Sequence, residues 1–96
     1  MEALFLGIDT GTQGVRVAVC DAKGKICSSC EKKWDTSYPH LGWVEQSPMH
    51  WWESILEAME ECCRGLTAEQ KLSIISGAVC ATSSTTIPVK IGRAHV

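Results

Sequence analysis

The order of elements legible in this sequence, three short strands, a connection, one amphipathic helix and a fourth strand, defines an α/β half-domain of the form βββαβ. Three observations carry it. Runs rich in apolar and β-branched residues, separated by glycine-containing turns, lie within residues 4–9, 15–21 and 25–34. An apolar pattern with three-four spacing starts after Ser47-Pro48 and stops at Gly65. The stretch LSIISGAVCA follows at residues 72–81 and is apolar on both alternating faces.

Each element has a local cause. The run at 4–9 ends on Asp9, and Gly11 and Gly14 bracket a polar turn before Val15, Val17 and Val19 start the second strand. Ala22-Lys23-Gly24 makes a tight turn into the third strand, so three consecutive strands pair antiparallel. Residues 35–46 lack a clear period and contain Pro39 and Gly42, an ordered connection that Tyr38, Trp43 and Val44 are expected to pin to the domain. Ser47 is a hydroxyl N-cap, Pro48 occupies the first helical position, and Gly65 is expected as the C′ residue. Trp52, Ile55, Leu56, Met59, Cys63 and Leu66 form the expected core stripe, with Glu53, Glu57, Glu60 and Glu61 opposite. Residues 67–71 form a short loop or single helical turn. With the long helix as crossover, the fourth strand lies parallel to the first and suits the middle of a sheet covered on both sides.

Composition narrows the function classes. In 96 residues, 45% hydrophobic and 21% charged content is that of an ordered globular chain, with room for one small domain or part of a larger one. A net charge of -2 with no basic stripe argues against nucleic acid as the main partner. No apolar run approaches the roughly 20 residues that span a bilayer. No export signal is legible at the N-terminus, and a cytoplasmic protein with no membrane partner is expected. The six cysteines allow a four-cysteine zinc site on paper, from Cys27-x-x-Cys30 and Cys62-Cys63. The pairs are badly placed for it. Adjacent helical residues point about 100° apart, and strand residues three apart face opposite sides. Reduced thiols acting as small buried hydrophobes are the expectation.

The chemistry concentrates in LFLGIDTGTQGVR, residues 4–16. Glycines there permit positive φ and close backbone approach, so successive amides from Thr10 to Gly14 and the Thr12 hydroxyl can meet phosphate oxygens. Asp9 supplies a hard oxygen ligand of the kind that divalent cations take. A plain hairpin with turn residues at its tip has the same composition, and the pattern alone leaves both readings open. At the carboxyl end of the fourth strand stand Thr82, Ser83, Ser84, Thr85 and Thr86, where open α/β sheets collect ligands, or where hydroxyls simply cap the strand.

A longer match selects between these readings. IDTGTQGVRVAVCDAKGKI resembles the first phosphate motif of the carbohydrate kinases that carry the FGGY signature, the family of xylulokinase, ribulokinase and glycerol kinase. YPHLGWVEQSPMHWW is similar to the segment that leads into their first helix, and the likeness runs to about Val89. The resemblance implies a truncated N-terminal half-domain of the ribonuclease-H-like fold that sugar kinases, actin and Hsp70 share. It further implies an ATP-dependent, magnesium-assisted transfer to a hydroxyl of a small-molecule sugar, a ketopentose such as xylulose being favoured. Under it, Asp9 helps to hold magnesium, Gly11, Thr12 and Gln13 cradle the phosphates, Arg16 offsets their charge, and Ser83 and Ser84 face the sugar. Thr82-Ser83-Ser84 departs from the sugar-binding residues the family carries there, most of all from those of glycerol kinases. The family's catalytic base, a distant aspartate, and its adenine pocket fall beyond these residues, so the chain alone is expected to be inactive.

Two other classes use some of the same features. An actin-like or Hsp70-like nucleotide switch shares the Asp-x-Gly-Thr hairpin but not YPHLGWVEQSP, and a cysteine-based metal-binding module needs bound zinc. Residues 1–89 are therefore expected to be the partial kinase domain. Residues 90–96, KIGRAHV, resemble a translated sequencing adapter and form an expected non-native tail in which Arg93 and His95 carry no function. Resequencing the gene should show a reading frame that leaves this heptapeptide out; a stop codon directly after Val96, free of adapter, contradicts it.

Overall fold

The computed structural model describes residues 2–34, 37, 38, 40–42, 46–81, 89, 90, 93 and 94. Its elements are β1 (Leu4–Thr10), β2 (Gly14–Asp21), β3 (Ile26–Lys33), α1 (Pro48–Arg64), α2 (Ala68–Leu72), β4 (Ile74–Ala81), and a two-stranded ladder of β5 (Val89–Lys90) and β6 (Arg93–Ala94). The main sheet is ordered β3-β2-β1-β4, with β2 antiparallel to both β1 and β3 and β4 parallel to β1. This is the βββαβ arrangement expected; α2 is the single helical turn expected near 67–71, and it takes in Leu72, expected to open the fourth strand, so that β4 starts at Ile74.

Alternation in β2 builds the core. Val15, Val17 and Val19 are buried on one face, Arg16 is exposed on the other, and α1 packs across β2 and β3. Asp21 closes the β2–β3 turn by accepting from the Lys23 and Lys25 amides at 2.9 Å, and Gly24 takes the positive φ of 85° that the turn requires. Asp21 is thereby committed to the turn.

The helix starts as the sequence dictates. Ser47 accepts from the His50 amide with Pro48 in the first turn. Its buried face differs from the expected one. Ser54, Ala58 and Cys62 point into the sheet, Trp51, Ile55 and Met59 flank them, and Trp52 and Leu56 are 56% and 45% exposed. The stripe is displaced because three small side chains at four-residue spacing let the helix backbone approach the sheet, which larger residues there would prevent. The Ser28 hydroxyl donates to the Cys62 carbonyl at 2.7 Å across this contact. Gly65 also has a different cause from the one expected. Its φ is −76°, so no left-handed cap is formed, and a Cβ would lie 2.5 Å from the Ser28 Oγ. Glycine is needed there for closeness.

Two further expectations are corrected. Cys27 and Cys30 do not face opposite sides; both pack on the core, because a register shift between Val19 and Cys20 inserts Cys27 as an extra residue in β3. β4 lies at the edge of the four-stranded sheet with Ile75 and Val79 67% and 69% exposed, since α1 covers β2 and β3 instead. Tyr38, expected to anchor the connection, is exposed, while Trp43 and Val44 fall outside the described residues.

Burial raises the pKa of the Cys62 thiol, and burial followed by a hydrogen bond to Glu61 raises that of Cys30. Both stay protonated at neutral pH and fill space in the core. Among the described residues no group of three or more His, Cys, Asp or Glu is placed to hold a metal ion, and no helix is long and apolar enough to cross a membrane.

Replacing Gly65 with Ala should displace Ser28 and lower stability by about 1–3 kcal/mol, read as a drop in urea midpoint. An unchanged midpoint would show that the helix can retreat from β3 without penalty.

Candidate functional site

The β1–β2 turn lies at the carboxyl end of two parallel strands. Thr10 pairs with Ala81, so β1 and β4 reach the same rim of the sheet together, and Thr10 Oγ1 donates to the Cys80 carbonyl at 3.3 Å. Ser83 and Ser84, expected to meet the sugar, fall outside the described residues. Asp9 is exposed on the face away from α1, paired in register with Arg16 on β2 and Cys80 on β4. Asp9, Gly11, Gln13, Gly14, Val15, Arg16, Glu31 and Lys33 line one open cleft of about 180 Å³. That volume is below the roughly 300 Å³ at which small-molecule pockets begin.

The charges lining this cleft are arranged across three strands. The Arg16 guanidinium donates to Glu31 Oε2 at 3.0 Å, both side chains being more than half exposed. Such an exposed pair contributes at most about 1 kcal/mol, weak enough for Arg16 to exchange its partner for an incoming anion. Alternation between the buried Val15 and Val17 puts Arg16 on the opposite, exposed face, where it lines the cleft.

Two of the glycines act differently from expectation. Neither Gly11 nor Gly14 has positive φ, which among the described glycines belongs only to Gly24 and Gly42. A Cβ on Gly14 would collide with the Lys32 carbonyl and lie 2.9 Å from the Lys33 Cα, so glycine lets β2 begin hard against β3. The Gly11 amide donates back to the Gly14 carbonyl at 2.9 Å and closes the turn, which removes it from the run of amides expected to face a ligand.

What holds the turn from behind was not legible in the sequence. Trp34 Nε1 donates to the Thr12 carbonyl at 3.1 Å, Gln46 Nε2 donates to the same carbonyl at 2.9 Å, and Trp51 Nε1 donates to Gln46 Oε1 at 3.2 Å. The Trp34 amide adds a bond to the Gln13 carbonyl at 3.1 Å, and the Trp34 and Trp51 rings lie 5.7 Å apart. Gln46 and Trp51 were visible as members of the YPHLGWVEQSPMHWW segment, but that they meet the turn is a fact of three dimensions.

An antiparallel three-stranded meander extended by a parallel fourth strand, with a glycine-bracketed turn beside an acidic residue at the strand ends, is a ribonuclease-H-like half-domain of the sugar kinase type. The chain belongs to the FGGY family of carbohydrate kinases, whose N-terminal domain matches it over residues 4–90. It is 37% identical over 57 residues to the xylulose kinase of Escherichia coli, covering 59% of this chain and 12% of that protein. It is 40% identical over 75 residues to the glycerol kinase of Haloquadratum walsbyi, covering 73% of this chain and 14% of the relative. Among solved structures it matches a xylulose kinase from Brucella ovis with a TM-score of 0.73 and 27% identity, over 81% of this chain and 16% of that one. The chain thus spans about an eighth of the length of these relatives. Membership sets aside the nucleotide-switch and cysteine-module readings.

Exchanging Gly14 for Ala should force β2 and β3 apart at the turn and cost about 2 kcal/mol or more, measured by thermal unfolding. A melting temperature equal to that of the native chain would show that the turn relaxes freely.

Proposed function

We propose that the protein carrying this domain transfers the γ-phosphoryl group of ATP to a hydroxyl of a ketopentose, with xylulose as the leading substrate, and that these 96 residues alone do not. The observation that supports it most is the meeting of Asp9, the β1–β2 turn and Arg16 on one open wall at the carboxyl ends of β1 and β4. Magnesium nucleotide, when bound, supplies the transferable group and neutralises its charge. Asp9 fits the cation as an exposed carboxylate, one of the one or two that magnesium takes beside water and phosphate oxygens. Thr12 and Gln13 offer polar groups to the β- and γ-phosphates, Gly11 keeps the approach clear of a side chain, and Arg16 balances negative charge after leaving Glu31.

Ser83 and Ser84 are proposed to face the sugar, since they follow the end of β4 one and two residues after Thr82. Glycerol kinases resemble the chain as strongly as xylulose kinases do, and the preference for a ketopentose rests on the Thr82-Ser83-Ser84 sequence. Asp9, assigned to the cation, is the one aspartate among the described residues that lines this wall; Asp21 lies at the opposite end of β1, beside Leu4, and is bonded to its own turn. Base and adenine pocket are assigned to the remainder of the parent protein, and residues 90–96 are assigned no role.

In an assay of ATP consumption with a panel of pentuloses, hexuloses and glycerol, the 96-residue chain should show no sugar-dependent turnover. The intact parent should turn over fastest with a pentulose, and Asp9→Asn should lower its kcat by roughly 100-fold. Turnover by the isolated chain, or an Asp9→Asn parent of normal kcat, contradicts the assignment.

A further inference from the structure

We propose that Gln46, Trp34 and Trp51 are positioning residues for phosphate binding, acting by fixing the plane of the Thr12–Gln13 peptide. The inference rests on the phosphate reading of the β1–β2 turn and adds to it the device that aims the turn.

The argument begins with the peptide group. No peptide bond among the described residues is cis, and in a trans peptide the C=O of one residue and the N–H of the next point in opposite directions within one plane. Fixing one therefore aims the other. The Thr12 carbonyl receives two donors, the Trp34 indole at 3.1 Å and the Gln46 amide at 2.9 Å, which saturate its two lone pairs. Both donors lie on the α1 side of the sheet: Trp34 is 7% exposed in the core, and its ring stacks at a tilt on Trp51 of α1. The Gln13 N–H consequently points to the other side, where Asp9, Arg16 and Gln13 itself line the cleft. An amide so directed is preorganised to donate to an anion without reorganising when the anion arrives.

Trp51 has its own part in this. Its Nε1 donates to Gln46 Oε1 at 3.2 Å, which fixes which end of the Gln46 amide faces Thr12. A Gln46 turned about would present an oxygen to the Thr12 carbonyl and repel it. The Trp34 amide bond to the Gln13 carbonyl at 3.1 Å anchors the following peptide too, so the turn is held at two successive carbonyls. Glu31 and Lys33 sit on the cleft side and take no part.

The test uses the complete 96-residue chain, isotopically labelled, with magnesium tripolyphosphate as probe, which needs no adenine pocket. Gln46→Glu keeps the acceptor for Trp51 but removes the donor to Thr12. Trp34→Phe keeps an aromatic ring in the core but removes the indole N–H. In the native chain the Gln13 amide resonance should move on titration with the probe. Each variant should weaken the probe's Kd by fivefold or more and change the Gln13 N–H residual dipolar coupling in the ligand-free state, while the couplings of β1, β2 and β3 amides stay as in the native chain. Trp51→Phe should give a smaller change of the same kind. Unchanged Gln13 coupling in both Gln46→Glu and Trp34→Phe overturns the clamp whatever the probe does. Changed coupling with unchanged affinity overturns its link to binding. A native chain whose turn amides ignore the probe overturns the phosphate reading itself, and the ligand-free couplings still decide whether the clamp exists.

Discussion

One backbone carbonyl, that of Thr12, is the point at which the separate parts of this half-domain meet. It belongs to the β1–β2 turn, yet its two donors come from the end of β3 and from the residue that leads into α1. The turn is therefore held by tertiary contacts that exist only once the sheet and helix have come together. A three-residue polar connection on its own would sample many conformations, and ordering each residue costs about 1–2 kcal/mol of backbone entropy. Here that ordering is coupled to packing of the Trp34 and Trp51 rings in the core.

The second constraint is closeness between layers. Ser54, Ala58 and Cys62 on α1, with Gly65 just beyond it, bring the helix near enough for the Ser28 hydroxyl to reach the Cys62 carbonyl. Trp51 of the same helix packs against the core and bonds Gln46, so the helix and the turn are linked through that residue. Surface pairs add little to this. Lys32–Glu61 at 2.7 Å and Arg64–Glu60 at 2.8 Å are exposed enough for solvent to screen them, although the Lys32 and Cys30 hydrogen bonds hold the Glu61 carboxyl below its usual pKa.

Much of the fold was legible because local signals agreed with one another. Val15, Val17 and Val19 alternate cleanly, Ser47-Pro48 starts the helix, and Asp21 with Gly24 makes the turn. What escaped was set by relations between elements. A helix stripe at three-four spacing can be drawn through Trp52 and Leu56 or through Ser54 and Ala58, and only the sheet's demand for small residues decides. The bulge at Cys27 breaks an alternation that nothing local interrupts. In the site, Asp9 and Arg16 were singled out from sequence, whereas their pairing across β1 and β2, and Glu31 opposite Arg16, required the strand registers. Gly11 and Gly14 were singled out for conformational freedom, whereas the structure uses the absence of a side chain at Gly14 and, at Gly11, only a backbone amide that closes the turn.

The indole pair behind the turn has an optical consequence. Trp34 and Trp51 are fluorophores 5.7 Å apart, one bonded directly to the turn and the other through Gln46, while Trp52 stands largely in solvent on the same helix. In a Trp43→Phe chain, emission from the pair is tied to the electrostatic surroundings of the loop, and the solvated ring supplies a red-shifted background that a soluble quencher can remove. The domain thus carries its own dye at the place where its chemistry is expected, with no attached label needed to watch that loop respond.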